Sequence, residues 1–190
     1  TSGSTGVPKG VTQTQANLAY FVDAFARGTR TTGNDRAALL VSLAFSAANM
    51  PIGCLTLHGA TVCTYDMRRD GLPKLAAWLN RERITVLSGI TTFARGVFAT
   101  LRPGETLPHL RAILTGGETA YASDAAAFLE HTCDDAIFIN QLSASEADVI
   151  AQHVVRHGDP PTAGSILPVG RCQPGVEVWI RRADGTEAPA

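Results

Sequence analysis

The sequence predicts an α/β fold: a mostly parallel sheet with helices on both faces, and a C-terminal stretch that leads into an antiparallel element. Two observations carry this. Short apolar segments alternate with helical patterns along most of the chain, the signature of βαβ units. Near the C-terminus, residues 175–181 (GVEVWIR) run into Ala183-Asp184-Gly185, a strand entering a turn of the hairpin type.

Residues 15–26 (QANLAYFVDAFA) place Leu18, Phe21, Val22 and Phe25 on one apolar face of a helix, which Gly28 and the polar run 29–35 end. Residues 36–42 (RAALLVS) form an apolar run too short for a buried helix and read as a buried strand. A helix is expected over 47–58, starting near Asn49 and Pro51 and stopping at Gly59. The β-branched alternation of 60–65 (ATVCTY) gives the next strand. A helix over 72–82, a strand at 84–88 (ITVLS) and a helix over 92–101 follow. The pattern repeats with a strand at 110–115 (LRAILT), a helix over 121–131 and a strand at 136–140 (AIFIN). This divides the chain into an α/β core over 1–164 and the start of a further β element over 165–190, and the abrupt ends suggest a piece of something longer.

A chain of 190 residues, 45% of them hydrophobic, is enough for one domain with a substantial core. A net charge of -1 leaves no basic surplus to displace counterions, which argues against nucleic acid as the main partner. No run approaches the ~18 apolar residues of a membrane span, and no signal peptide is visible. Cys54, Cys63, Cys133 and Cys172 are scattered without a C-x-x-C pair, which reads as a reduced, cytoplasmic chain. The histidines at 58, 109, 131, 153 and 157 show no association with a Ser or Cys nucleophile; His153 and His157 could share a helix face, where a surface pair fits better than a zinc site.

The opening stretch, residues 1–11 (TSGSTGVPKGV), has the composition of an anion cradle. Glycines let backbone N–H groups approach a ligand, while Ser2, Ser4, Thr5 and Lys9 add donors around phosphate oxygens. The common P-loop spacing does not fit, because Val7-Pro8 separates Gly6 from Lys9 and Gly10 follows it. A Gly/Ser linker has no use for Pro-Lys at a fixed offset from glycines. The stretch is similar, residue for residue, to the loop T-S-G-[ST]-T-G-x-P-K-G of the adenylate-forming (ANL) superfamily. That family comprises nonribosomal peptide synthetase adenylation domains, acyl- and aryl-CoA ligases and luciferases.

Ligands of open parallel sheets sit at the carboxyl ends of the strands, and four stretches there resemble the family's motifs in order: 45–48, 88–92, 115–118 and 140–146. Residues 140–146 (NQLSASE) resemble N-x-Y-G-P-T-E, with Leu142 in place of the aromatic and Ser143-Ala144 in place of Gly-Pro. The resemblance implies that Asn140 and the position of Leu142 meet adenine, Ser145 binds the α-phosphate, and Glu146 holds Mg²⁺. Read without it, Glu146 is a carboxylate at a helix start beside a Ser145 N-cap. It also implies that Thr1, Ser2, Gly3, Ser4, Thr5, Gly6 and Lys9 bind the ATP phosphates, with Lys9, Ser145 and Glu146 catalytic. Gly117, Glu118 and Thr119 would lie against adenine, although a plain turn explains Gly-Gly equally well. Residues 168–178 resemble a further family stretch of architectural character.

The implied activity is ATP-dependent activation of a carboxylic acid to an acyl-adenylate, with later capture by the pantetheine thiol of a carrier protein or CoA. Its demands are positioning and electrostatic stabilisation, with no general base. By the same alignment the acyl pocket comprises Phe45, Ser46, Ala47, Met50, Ser88, Leu114, Gly116, Gln141, Val149 and Ile150; for the apolar members, core packing is an equal reading. Ser46 stands where adenylation domains for α-amino acids carry the Asp that pairs the substrate ammonium. Burying an ammonium without that partner costs several kcal/mol, so the expected substrate is an aryl, fatty, hydroxy or keto acid, or an amine placed differently. Asp148 could supply a relocated charge. The family's ribose-binding Asp motif and catalytic Lys have no match in residues 1–190, so these residues alone are expected to have little activity. An alternative is a non-catalytic adenylation fold kept as a scaffold.

Overall fold

The computed structural model describes residues 10–43 and 46–188, without the side chains of residues 46 and 54–56. Among them the order is α1 (Gln15–Thr29), β1 (Arg36–Leu39), a 3-10 turn (Ser46–Ala48), α2 (Asn49–His58), β2 (Thr61–Thr64), α3 (Met67–Asp70), a second 3-10 turn (Leu72–Lys74) and α4 (Leu75–Arg81). It continues with β3 (Val86–Ile90), α5 (Thr91–Ala99), β4 (Ala112–Gly116), α6 (Ala122–Glu130), β5 (Ile137–Ala144), β6 (Asp148–Arg156) and β7 (Arg171–Cys172). The strands form one sheet in the order β2-β1-β3-β4-β5-β6-β7. The first five strands pair in parallel, and β6 and β7 add antiparallel.

Helices cover both faces, each over its own core. On one side Phe21, Ala24 and Phe25 of α1 and Met50 of α2 pack on Val86, Leu114, Ile137 and Ile139. On the other, Leu75, Trp78, Val97, Phe98, Phe128 and Leu129 from α4, α5 and α6 pack on Leu87, Ile113 and Phe138.

The start of α1 is held by a reciprocal cap that is not among the expectations from sequence: Thr14 accepts from the Asn17 N–H while Asn17 accepts from the Thr14 N–H. Its end also differs from the expected stop. The helix runs through Gly28 to Thr29, and the left-handed turn is taken by Arg30 (φ 54°), whose N–H reaches back to the Ala26 and Arg27 carbonyls. Leu18 is 39% exposed, unlike Phe21, Val22 and Phe25, because the buried face begins only in the second turn.

The largest correction concerns residues 141–156. The strand expected at 136–140 extends to Ala144, turns at 145–147 and returns as β6, so the antiparallel part begins at Asp148 and not near 175. His153 pairs with Asn140 in this ladder, which removes the helical reading of His153 and His157. The chain also stays on the core past residue 164: Leu167 is buried, and its N–H bonds the Ala120 carbonyl. Residues 175–181 make no strand ladder, although a small turn at Asp184-Gly185 is closed by backbone pairing of residues 181 and 187.

At the amino ends of the parallel strands, Asp35 and Arg111 clamp three elements. Arg111 Nε and Nη2 donate to the two Asp35 carboxylate oxygens at 2.8 and 2.6 Å, and its guanidinium also reaches the Thr29 and Arg30 carbonyls at the end of α1. Thr85 Oγ1 and the Thr32 N–H donate to the same carboxylate. Burial pushes the Asp35 carboxyl up, but the hydrogen bonds from Arg111, Thr85 and Thr32 outweigh it and hold the group below the usual range. A depressed folded pKa adds stability above the unfolded value, lost as pH falls through the folded one. Asp35→Asn should therefore cost roughly 2–4 kcal/mol near neutrality in urea denaturation, and its deficit against wild type should shrink below about pH 4.

Candidate active site

The carboxyl ends of the parallel strands open into a cavity of about 430 Å³. It is lined by Ala47, Met50, Ser88, Leu114, Gly116, Gln141 and Ser143, with Gly89, Ile90, Gly117, Ala38 and Leu40 among the rest of the lining. Six positions expected in the acyl pocket thus meet here although they span residues 47 to 141. The lining is mainly apolar, with Ser88, Gln141 and Ser143 as polar members. Gly116 is required by close approach: a Cβ there would stand 2.8 Å from the Gln141 carbonyl oxygen on the neighbouring strand.

Val149 and Ile150, also expected in this pocket, are not among its described lining residues. Val149 is fully buried in the core with Phe21 and Ile139. The pairing shifts from Leu142↔Ala151 to Ser143↔Val149, which leaves Ile150 as the extra residue of a β-bulge. Phe45 lies outside the described residues, and Ser46 is placed only as backbone at the start of the 3-10 turn.

The residues expected against adenine lie in β5 and in the turn after β4. Asn140 is buried, and its Nδ2 donates to the Leu167 and Pro168 carbonyls at 3.3 and 2.9 Å, which fixes the side chain. Leu142 is exposed. Gly117 takes a positive φ of 80°, and Glu118 accepts from the N–H and Oγ1 of Thr92 at the start of α5, bonds that hold its carboxyl below the usual range. Arg95 braces this turn: it grips Asp124 with two hydrogen bonds, donates to the Thr119 carbonyl and lies over the Tyr121 ring.

Ser145 and Glu146 sit in the β5–β6 turn. The phosphate-loop residues Thr1, Ser2, Gly3, Ser4, Thr5, Gly6 and Lys9 expected from the sequence lie outside the described residues, but the segment that follows them is docked on this turn. Gln13 Nε2 donates to the Ser145 carbonyl at 3.0 Å and to Asp148 Oδ1 at 2.9 Å. Val11, Thr12 and Gln13 line a cavity of about 300 Å³ with Glu146, Asp148 and Asn17. An exposed carboxylate at such an opening, flanked by backbone and hydroxyl oxygens, is a donor set that suits a hydrated divalent cation. Burial pushes the Asp148 carboxyl up, partly offset by Gln13; it lines a smaller cavity with Ala47, Met50 and Ser145 and not the 430 Å³ one.

Sequence reasoning misses Gln13, Gln152 and Gln173. The alternation Val149-Ala151-His153-Val155 is the available signal for β6 and hence for Gln152. Gln13 and Gln173 lie outside regular elements and carry no sequence signal.

The sheet order, with an apolar ligand-sized cavity at its carboxyl edge, is the fold of the N-terminal part of an adenylation domain: the chain superposes on the adenylation domain AlmE of Vibrio cholerae, solved in complex with glycyl-adenosine-5'-phosphate, with a TM-score of 0.84 at 21% identity over 98% of this chain and 35% of that one. The chain belongs to the AMP-binding enzyme family, whose model matches residues 1–190. It is 31% identical over 194 residues to a linear gramicidin synthase of Brevibacillus parabrevis, covering all of this chain and 4% of that protein. It is 33% identical over 153 residues to syringomycin synthase SyrB1 of Pseudomonas syringae pv. syringae, covering 78% of this chain and 25% of that protein. The chain thus spans a minor part of the length of each.

Gln13→Leu should free the β5–β6 turn from the preceding segment. Amide exchange at residues 145–148 should accelerate by roughly three- to tenfold, the size expected for a pair of exposed hydrogen bonds, with the ladder at 137–141 unchanged.

Proposed function

We propose that this chain forms the acid-selecting and much of the ATP-binding half of an enzyme that activates a carboxylic acid as its acyl-adenylate for transfer to a pantetheine thiol, on a carrier protein or CoA. The observation that carries this reading is the convergence of Ala47, Met50, Ser88, Leu114, Gly116 and Gln141 on one cavity beside the turn that bears Ser145 and Glu146. The acid's carboxylate oxygen would bond to the α-phosphorus of ATP as the bond to the pyrophosphate oxygen breaks. The thiol sulfur would then take the acyl carbon and AMP would leave.

The residues divide this work by position. The cavity walls hold the acyl group and exclude water from it. Gly117, Glu118, Thr119 and Asn140 bound the place for adenine, Asn140 with its Nδ2 already committed to Leu167 and Pro168. Ser145 and the loop of Thr1, Ser2, Gly3, Ser4, Thr5, Gly6 and Lys9 meet the phosphates. Magnesium held at Glu146 would neutralise charge on the triphosphate. Positioned charge of this kind is the main resource for phosphorus-centred substitution.

The substrate is an acid other than an ordinary α-amino acid. Ser46 supplies no carboxylate for an α-ammonium, the cavity lining is mainly apolar, and Asp148 is turned toward Gln13. A second reading, a non-catalytic module, is favoured by one observation: the exposed aliphatic Leu142 where the family stacks an aromatic on adenine. Calorimetry with Mg-ATP on the full-length gene product separates the two, since a scaffold shows no nucleotide-dependent heat.

In ATP–pyrophosphate exchange over a panel of acids, the full-length protein should respond to aryl, fatty, hydroxy or keto acids and stay near background with proteinogenic amino acids. A strong preference for one of the latter removes the substrate assignment. Glu146→Gln should lower kcat for exchange by roughly 10²-fold. Residues 1–190 alone should form little acyl-adenylate.

A further inference from the structure

Three glutamines form a directed hydrogen-bond series that ends at the acyl cavity. Gln173 Nε2 donates to Gln152 Oε1 at 3.2 Å, and Gln152 Nε2 donates to Gln141 Oε1 at 2.9 Å. Gln141 and Gln152 are cross-strand partners on β5 and β6. Gln173 is anchored by its own N–H, which bonds the Ile150 carbonyl. Gln141 is 4% exposed and lines the 430 Å³ cavity.

A carboxamide has one accepting and one donating end. With its oxygen taken by Gln152, Gln141 has its NH₂ to offer to the cavity. The position of Gln152 is in turn set by a helix. Gly28 lies inside α1, where glycine costs about 1 kcal/mol relative to alanine. A Cβ at residue 28 would stand 2.4 Å from Gln152 Oε1 and 3.0 Å from Cδ and Nε2. The glycine that reads as a helix stop in the sequence is the space in which the Gln152 carboxamide sits.

We propose that Gln152, backed by Gln173 and given room by Gly28, is a positioning residue that orients the Gln141 carboxamide to donate into the cavity, so that the preferred acid carries a hydrogen-bond acceptor, a carbonyl, hydroxyl or ether oxygen, on its acyl group. This rests on the adenylation reading and adds the polarity of the substrate to it. An acid that leaves the buried NH₂ unpaired forfeits that bond and keeps the desolvation cost, a discrimination on the order of ten- to a hundredfold in kcat/KM.

The test uses ATP–pyrophosphate exchange by the full-length protein with para-substituted benzoic acids and ω-substituted aliphatic acids bearing isopropyl, acetyl or amino groups. Wild type should favour acetyl over its isopropyl isostere by about tenfold or more, mainly through KM. Gln152→Glu is the decisive variant. A carboxylate can only accept, so Gln141 must turn its NH₂ toward residue 152 and its oxygen toward the cavity, and the preference should pass from acetyl to amino acids of the panel. A merely structural role for Gln152 would weaken all substrates together and not reverse their order. Gly28→Ala, which displaces the Gln152 carboxamide while favouring the helix, should bring the acetyl-to-isopropyl ratio near one without lowering the thermal midpoint. Exchange with any of these acids in which wild type shows no acceptor preference, or in which Gln152→Glu leaves the order unchanged, overturns the relay and leaves adenylation standing. No acid-dependent exchange with any acid overturns both.

Discussion

The antiparallel ladder between β5 and β6 is the constraint on which the rest of the site depends. In a parallel sheet each strand end is a separate loop, free to wander. Here β5 continues past its parallel neighbour and is held by a nine-residue partner. That ladder fixes the backbone of Asn140 and Gln141 at the sheet edge and carries Ser145 and Glu146 on its tight turn. It also gives Gln13 a surface to bond. One set of backbone hydrogen bonds therefore sets the relation between the strand-end cavity, Asn140 and the turn that carries Ser145 and Glu146.

The two ends of the parallel strands serve different purposes. At the amino ends Asp35, Arg111 and Thr85 lock α1 to β1, β3 and β4 through a charge pair whose hydrogen bonds are satisfied within the protein. At the carboxyl ends glycines stand at 89, 116 and 117, and space remains. Rigidity at one edge lets the other edge stay open, as expected for a scaffold that must hold several groups at fixed distances without filling the gap between them.

Glycine positions have two different causes that look identical in sequence. Gly116 is required because a side chain would strike the next strand, a local property of a parallel pair that ends in a Gly-Gly turn. Gly28 sits in ordinary helical backbone, and its reason is a carboxamide from a strand more than a hundred residues later. The same applies to Leu18, which completes a helical stripe in the sequence but stands in the first turn of α1 and is 39% exposed.

The α/β class and the order of most elements were legible from the sequence, because each depends on local periodicity, and the meeting of Ala47, Met50, Ser88, Leu114, Gly116 and Gln141 at one cavity followed from the family resemblance. The β6 strand, the bulge that takes Ile150 out of register, the docking of Gln13 on the Ser145 turn and the glutamine series were decided only in three dimensions. They depend on which strand pairs with which and on polar groups meeting across long separations, and a hydrogen bond between residues 13 and 148 or 141 and 152 leaves no trace in the periodicity of either segment.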